Sequence, residues 1–377
     1  MVIFIPNQRY TERDHKRLGV EYLLKKGLNI EVWDIDKILF PHKEKRTKQY
    51  IFNGYKEFNI ESEFIEAFRS LNRDDYIFIF STGRKFINIL YKIRAITDAK
   101  FISYSGGAIP ITHYRCIFKS KESIKIFLKT LIYRIYYPFK FPLDIIFLGS
   151  KKDRELSFGY IGKRTKLIEV HSRDYNLCLE IENRRNRVYS YRYCLFLDTD
   201  IIDSLDYEIL NIDYNITEEQ IENYYKKLIY FFKWIEREYN LKVIIAGHPK
   251  SKKFSTIKNF YGFDVFINRS AELVKDAEFI LTEGSTAISF AIFFNKPLIL
   301  FTMREIDFFK HTCIFANILK KEIISVENLQ KEQFNRELKN LKEYKNYKYS
   351  YLTYTGDRQH SFEVIYRVLN NGNSSKE

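Results

Sequence analysis

Four short polar stretches interrupt apolar runs of this chain, and each carries residue types that do chemistry. Gly247-His248-Pro249-Lys250 ends the apolar run 243–246. Pro249 fixes its own φ and disfavours the helical region for the residue before it, so His248 is expected extended at a strand end. An imidazole there can hydrogen-bond a phosphate or attract one electrostatically. Glu283-Gly284-Ser285-Thr286 lies between apolar runs 279–281 and 287–294. Gly284 lets a ligand approach the backbone, and Ser285 and Thr286 are expected to cap the helix that follows. The N–H groups and partial positive charge at such a helix start suit a phosphate. His171, Arg173 and Asp174 form a third set and Asp198-Thr199-Asp200 a fourth. A carboxylate or imidazole can take a proton from a hydroxyl, which makes His171, Asp174 and Asp200 candidate bases. A structural His–Asp pair and a turn-capping Asp are the alternatives.

The elements that must hold these residues alternate strand and helix. Residues 2–5 read as a buried strand, 11–26 as one amphipathic helix ending at Gly27, and 30–33 as the next strand, which together make a βαβ unit. Further strands are expected at 76–80, 101–104 and 143–148, with turns Ser81-Thr82-Gly83-Arg84 and Ser105-Gly106-Gly107 at one end of the sheet. A basic, aromatic helix is expected over 120–137, either as a membrane-surface element or as a packed helix with a wet face. After the strand 194–197, Thr217-x-x-Gln220 reads as a capping box. It opens a helix with the buried stripe Ile221, Tyr225, Leu228, Phe232 and Ile235. At 377 residues the chain exceeds one hydrophobic core. Domains are expected over 1–190 and 191–350, with a helix and polar tail over 351–377 crossing back to the first.

The strand, the Thr282-Glu283-Gly284-Ser285-Thr286 turn, the helix and the Lys296-Pro297 strand together resemble the sugar-nucleotide half of a GT-B glycosyltransferase. His248-Pro249 followed ~35 residues later by Ser285-Thr286 is similar to the bacterial sialyltransferase, polysialyltransferase and Kdo-transferase group, which use CMP-activated sugars. The opening residues and the run 194–200 look like glycosyltransferases of bacterial surface-polysaccharide clusters, such as those for lipopolysaccharide or capsule. The resemblance implies an α/β fold of two Rossmann-like domains facing across a cleft. The second domain would hold a nucleotide-sugar donor, and the first a glycan or lipid-linked acceptor. His248, Ser285 and Thr286 would hold the donor phosphates, with Gly247, Pro249, Lys250 and Gly284 in the same nucleotide-sugar site. The loop at 268–270 would lie near the base and ribose, with Asn268 and Ser270 as contacts. Arg269 would pair a phosphate or form a surface ion pair, and Glu283 would meet the ribose or sugar. Asp198-x-Asp200 is similar to the metal motif of GT-A transferases, but the order of elements argues against that family. No metal and no cofactor is expected, because the nucleotide-sugar is itself a substrate. A UDP- or GDP-sugar transferase, a non-hydrolysing sugar-nucleotide epimerase and a non-catalytic glycan-binding protein are the alternatives.

Composition bounds the partners. Lys and Arg exceed Asp and Glu by 62 to 48, a net charge of +14. That favours an anionic partner such as an acidic glycan or an anionic inner-membrane surface. No nucleic-acid-binding motif accompanies the charge, so nucleic acid is not expected. The four cysteines lack CxxC spacing and read as reduced, buried small hydrophobes. The first ten residues do not read as a signal peptide, and no apolar run reaches the ~20 residues of a membrane span. A cytoplasmic protein, peripheral at the inner membrane, is the expectation.

Overall fold

The computed structural model describes residues 1–371 except 7, 42–47, 81–83, 108–109, 111–140, 158–159, 201, 203–215, 249–250, 252, 255–256 and 305–308. Four expectations fall outside the described residues: the basic helix 120–137, the turn 81–83, Cys116, and Pro249 with Lys250. Among the described residues, no helix is long and apolar enough to cross a membrane.

The chain forms two compact units, each built on its own sheet. The first holds β1 (Val2–Ile5), β2 (Ile30–Asp34), β3 (Tyr55–Glu57), β4 (Tyr76–Ile79), β5 (Lys100–Tyr104), β6 (Ile145–Leu148) and β7 (Lys166–Glu169). Their spatial order is β3-β2-β1-β4-β5-β6-β7, and every pairing is parallel. The second holds β8 (Tyr193–Leu197), β9 (Lys242–Gly247), β10 (Asn259–Phe260), β11 (Phe263–Ile267), β12 (Ile280–Thr282), β13 (Leu298–Thr302) and β14 (Ile323–Ser325). Here the order is β10-β11-β9-β8-β12-β13-β14, with only the short β10–β11 pair antiparallel. Strands such as β6 (IIFL) and β8 (YCLFL) are buried at every position, as strands covered by helices on both faces must be.

This topology decides where a ligand can sit. From β8 the chain goes to β9 and β11 on one side, then crosses to β12, β13 and β14 on the other. The carboxyl ends of β8 and β12 therefore flank a topological switch point, the usual crevice for ligands in such sheets. The ends of β1 and β4 form the equivalent point of the first sheet.

Three local features differ from expectation. The single helix over 11–26 is two, Glu12–Arg17 and Val20–Lys25, broken at Gly19 with φ +81°. A Cβ at Gly19 would stand 2.5 Å from the Phe362 ring, so the break admits a helix from the other end of the chain. The first unit ends at Asn176, inside the helix Arg173–Glu182, ahead of residue 190, and it includes everything from Tyr349 onward. In the second unit, Thr217 makes its capping box with Gln220 at the start of the helix Glu218–Tyr239. The buried stripe, however, includes Tyr224, while Tyr225 is only partly buried.

Candidate functional site

At the switch point of the second unit, one carboxylate organises two strand ends. Asp198 follows β8; its Oδ1 accepts the Asp200 N–H at 3.1 Å and its Oδ2 accepts the His248 N–H, beyond β9, at 2.9 Å. Those two bonds use both oxygens of Asp198 to shape backbone. Asp200 is held with φ +55°, a left-handed conformation that Asp tolerates better than most residues. Its buried Oδ2 has no hydrogen-bond partner and lies 3.5 Å from His248 Nδ1. The His248 side chain is 34% exposed, so Asp200 sits behind a ring that still reaches solvent. Asp200, expected as a candidate base, is thus placed to orient the imidazole.

Burial sets the charge of the acids beneath this site. Asp198 is pushed up to about 6 by desolvation, opposed by its two backbone hydrogen bonds and raised further by nearby Asp200. Glu283, at the end of β12, is almost wholly buried, and its Oε2 accepts the Tyr224 hydroxyl at 2.6 Å. Desolvation, with a further contribution from Asp198, lifts Glu283 to about 8 against the hydrogen bond from Tyr224. Glu283 is therefore mostly protonated at pH 7, and its side chain is turned into the protein rather than out towards a ribose. Helical spacing points to Tyr225 and not to its neighbour; in the structure Tyr224 is the buried member of the pair and Tyr225 the partly buried one.

The turn after β12 corrects a second expectation. Thr282 Oγ1 accepts the N–H groups of both Gly284, at 3.1 Å, and Ser285, at 2.9 Å. Ser285 and Thr286 do not cap the following helix: Ile288–Phe293 starts after Ala287 without a side-chain cap, and Ser285 Oγ accepts only the Ala287 N–H, at 3.4 Å. A hydroxyl one turn earlier has taken the donors that a phosphate was expected to meet. Gly284 is needed for its φ of +130°. Ser285 is half-buried and Thr286 exposed.

Other candidates divide. A Cβ on Gly247 would stand 2.7 Å from both Ile267 and Phe254, so this glycine serves packing. Asn268 has φ +61° at the end of β11, and Arg269 forms an ion pair with Glu272 at 2.8 Å, the surface contact that competes with a phosphate role. A cavity of about 460 Å³ opens beside Asp198 and Asp200, walled by Tyr224 and Tyr225 of the long helix and by Ser251 and Lys253 after β9. Lys253 Nζ lies 3.5 Å above the Tyr225 ring centroid. The size suits a small ligand.

In the first unit the expected His171–Asp174 set comes apart. His171 is buried, with Nδ1 2.6 Å from Thr353 Oγ1 and Nε2 3.0 Å from Asp357 Oδ1. Its N–H donates to Ser361 Oγ at 2.8 Å, and its carbonyl accepts the Tyr104 hydroxyl at 2.6 Å. Burial lowers the His171 pKa below its ordinary value, although Asp357 pulls the other way. With both ring nitrogens engaged by Thr353 and Asp357, His171 anchors the C-terminal segment. Asp174 instead faces Arg17, Nη2 to Oδ1 4.0 Å, and stays a quarter exposed.

Comparison with known proteins adds the fold. No protein-family model matches the chain, and a search of curated proteins finds no match. Among solved structures, the wall teichoic acid polymerase TagF superposes with a TM-score of 0.53 at 12% identity, over 100% of this chain and 90% of that one. UDP-GlcNAc 2-epimerase from Methanocaldococcus jannaschii gives 0.50 at 13% identity, over 98% and 100%. The fold is GT-B. Two Rossmann-like units of seven strands each account for the likeness along the full chain. These neighbours are not CMP-sugar transferases of the sialyl or Kdo group, so the likeness reaches the GT-B fold and stops short of that subgroup.

Proposed function

We propose that this chain is a nucleotide-sugar-dependent glycosyltransferase that binds its donor on the second unit and its acceptor, a glycan or lipid-linked glycan, on the first. The observation that carries the reading is His248, fixed at the β9 end by Asp198 and backed by Asp200, at the same switch point as the Ser285-Thr286 turn that ends β12 across β8 in a GT-B sheet. Glycosyl transfer builds oxocarbenium character on the sugar and negative charge on the departing phosphate. A pre-oriented imidazole and two hydroxyls aimed at that charge supply electrostatic stabilisation without reorganisation. A neutral Glu283 beneath them spares the donor a repelling carboxylate. Asp174 is the base we assign for the acceptor hydroxyl, and Asp200 orients His248.

The epimerase fold likeness supports a second reading, in which the donor site is the same but no acceptor is used. That neighbour is by name a UDP-GlcNAc enzyme, which weighs towards a UDP-linked donor; the His248 and Ser285-Thr286 pair weighs towards a CMP-linked one. Release of free nucleotide from a panel of UDP-, GDP- and CMP-sugars, with and without a bacterial surface-glycan acceptor, separates the readings. Transfer requires acceptor-dependent release that His248→Ala abolishes. Isomerisation of the sugar without acceptor would replace the transferase reading by the epimerase one.

A further inference from the structure

The proposed function leaves a group of arginines in the first unit without a role. Arg13 and Arg17 lie one turn apart on the helix Glu12–Arg17, and Arg173 opens the helix after β7. Two like charges at i and i+4 repel, and the field of Arg17 reaches both Arg13 and Arg173. Counter-charge is weak: the buried carboxyl Asp153 lies in the field of Arg173, but desolvation pushes it up to about 7. Asp14 Oδ2 is turned back to the Thr11 N–H, at 3.2 Å, and hydroxyl, at 2.7 Å, closing the capping box. Asp174 approaches Arg17 only to 4.0 Å.

The backbone beneath is shaped to hold Arg173 close. The Arg173 N–H donates to the Gly106 carbonyl at 2.9 Å, and a Cβ on Gly106 would fall 2.0 Å from Arg173 Nε. Gly107, with φ +111°, and Gly149 pack as tightly on Ser172, 2.6 Å and 3.1 Å from a built Cβ. Glycines at the ends of β5 and β6 thus let the chain after β7 lie flat on the sheet edge. The Arg173 Nε is buried there without a hydrogen-bond partner. A buried charged donor left unmatched costs its full desolvation, and burial lowers Arg173 to about 10. An oxyanion between the outer faces of these guanidinium groups would relieve the repulsion and supply the counter-charge.

Resting on the transferase reading, we infer that Arg13, Arg17 and Arg173 bind a phosphate- or carboxylate-bearing group of the sugar acceptor, so that the acceptor is an anionic glycan. The site adjoins Asp174, so an acceptor held there by its anion presents its hydroxyl near the assigned base.

The test uses the full chain and inorganic phosphate, titrated by calorimetry at constant ionic strength, with acetate in a parallel arm to tell phosphate from carboxylate. Arg17→Gln and Arg13→Gln change accessible side chains and keep the test independent of Arg173→Lys, which touches the packed core. Phosphate or acetate is expected to bind the wild type and to bind each Gln variant about tenfold more weakly. Affinity for UDP or CMP is expected to stay unchanged in the same variants. Equal anion binding by wild type and variants overturns the arginine site. Loss of nucleotide affinity in Arg17→Gln, or displacement of phosphate by the nucleotide, assigns the anion to the donor and overturns the acceptor claim. Anion binding by a protein that binds no nucleotide contradicts the transferase reading itself, whereas nucleotide binding without anion binding contradicts only the arginine site.

Discussion

Glu283→Gln should make the second unit more stable at neutral pH and remove part of its pH dependence. The carboxyl group is buried and bonded to Tyr224, and its pKa of about 8 stands above the ordinary 4.5. Below 4.5 both folded and unfolded chains hold the proton. Above it the unfolded chain releases the proton while the folded one keeps it up to about 8, so stability falls as pH rises through that window. Each pH unit is worth about 1.4 kcal/mol, and by pH 7 the loss from this group amounts to roughly 3 kcal/mol. Gln is near in shape, carries no titrating proton, and its amide oxygen can still accept the Tyr224 hydroxyl. Urea unfolding at pH 5, 6, 7 and 8 measures the effect. The protein has two tryptophans, Trp33 in the first core and Trp234 in the second. A Trp33→Phe background therefore reports the second unit alone. The difference in stability between Gln variant and parent should grow steadily from pH 5 to pH 8. Asp198, pushed up by burial, contributes to the pH dependence of both proteins and largely cancels in that difference. Parallel stability curves would refute the buried, protonated Glu283.

Further outcomes follow from the same geometry. His171→Ala removes a ring bonded at both nitrogens and should destabilise the first unit by about 2–3 kcal/mol while leaving nucleotide affinity unchanged. Its lowered pKa means that the unfolded chain takes up a proton that the folded one refuses, so wild-type stability in that unit should fall below about pH 6.5, and the variant should lack that contribution. Asp174→Asn should lower kcat by at least about a hundredfold with little change in donor KM; full turnover would remove Asp174 as the base. Asp200→Asn keeps the size of the side chain behind His248 and should lower turnover while nucleotide affinity changes little; full turnover would remove Asp200 as the group that orients the imidazole.

The strands were easy to read because they are buried on both faces, so runs such as YIFI and YCLFL stand out without alternation. The capping box at Thr217 was equally plain, because it depends only on residues three apart. What failed depended on partners far away in sequence. Gly19 breaks a helix for Phe362, and His171 finds Asp357 at a separation of 186 residues, where the nearer Asp174 had seemed its mate. Period alone could not choose between Tyr224 and Tyr225, and only the position of Glu283 decides which faces inward. The Ser285-Thr286 cap is missing because the helix starts only at Ile288, after a turn in which Thr282 bonds forward to Gly284 and Ser285 and Ser285 to Ala287, an arrangement that residue type leaves open.

The central claim is that the second unit binds an activated nucleotide through His248. A thermal-shift titration of wild type and His248→Ala against CMP, CDP, UDP, GDP and ADP tests it most directly, since a ligand selective for the folded state raises its melting temperature. The account predicts a rise with one nucleotide base, at millimolar concentrations or below, that shrinks markedly in His248→Ala. No response of the wild type to any nucleotide, or an equal response of the variant, would contradict it.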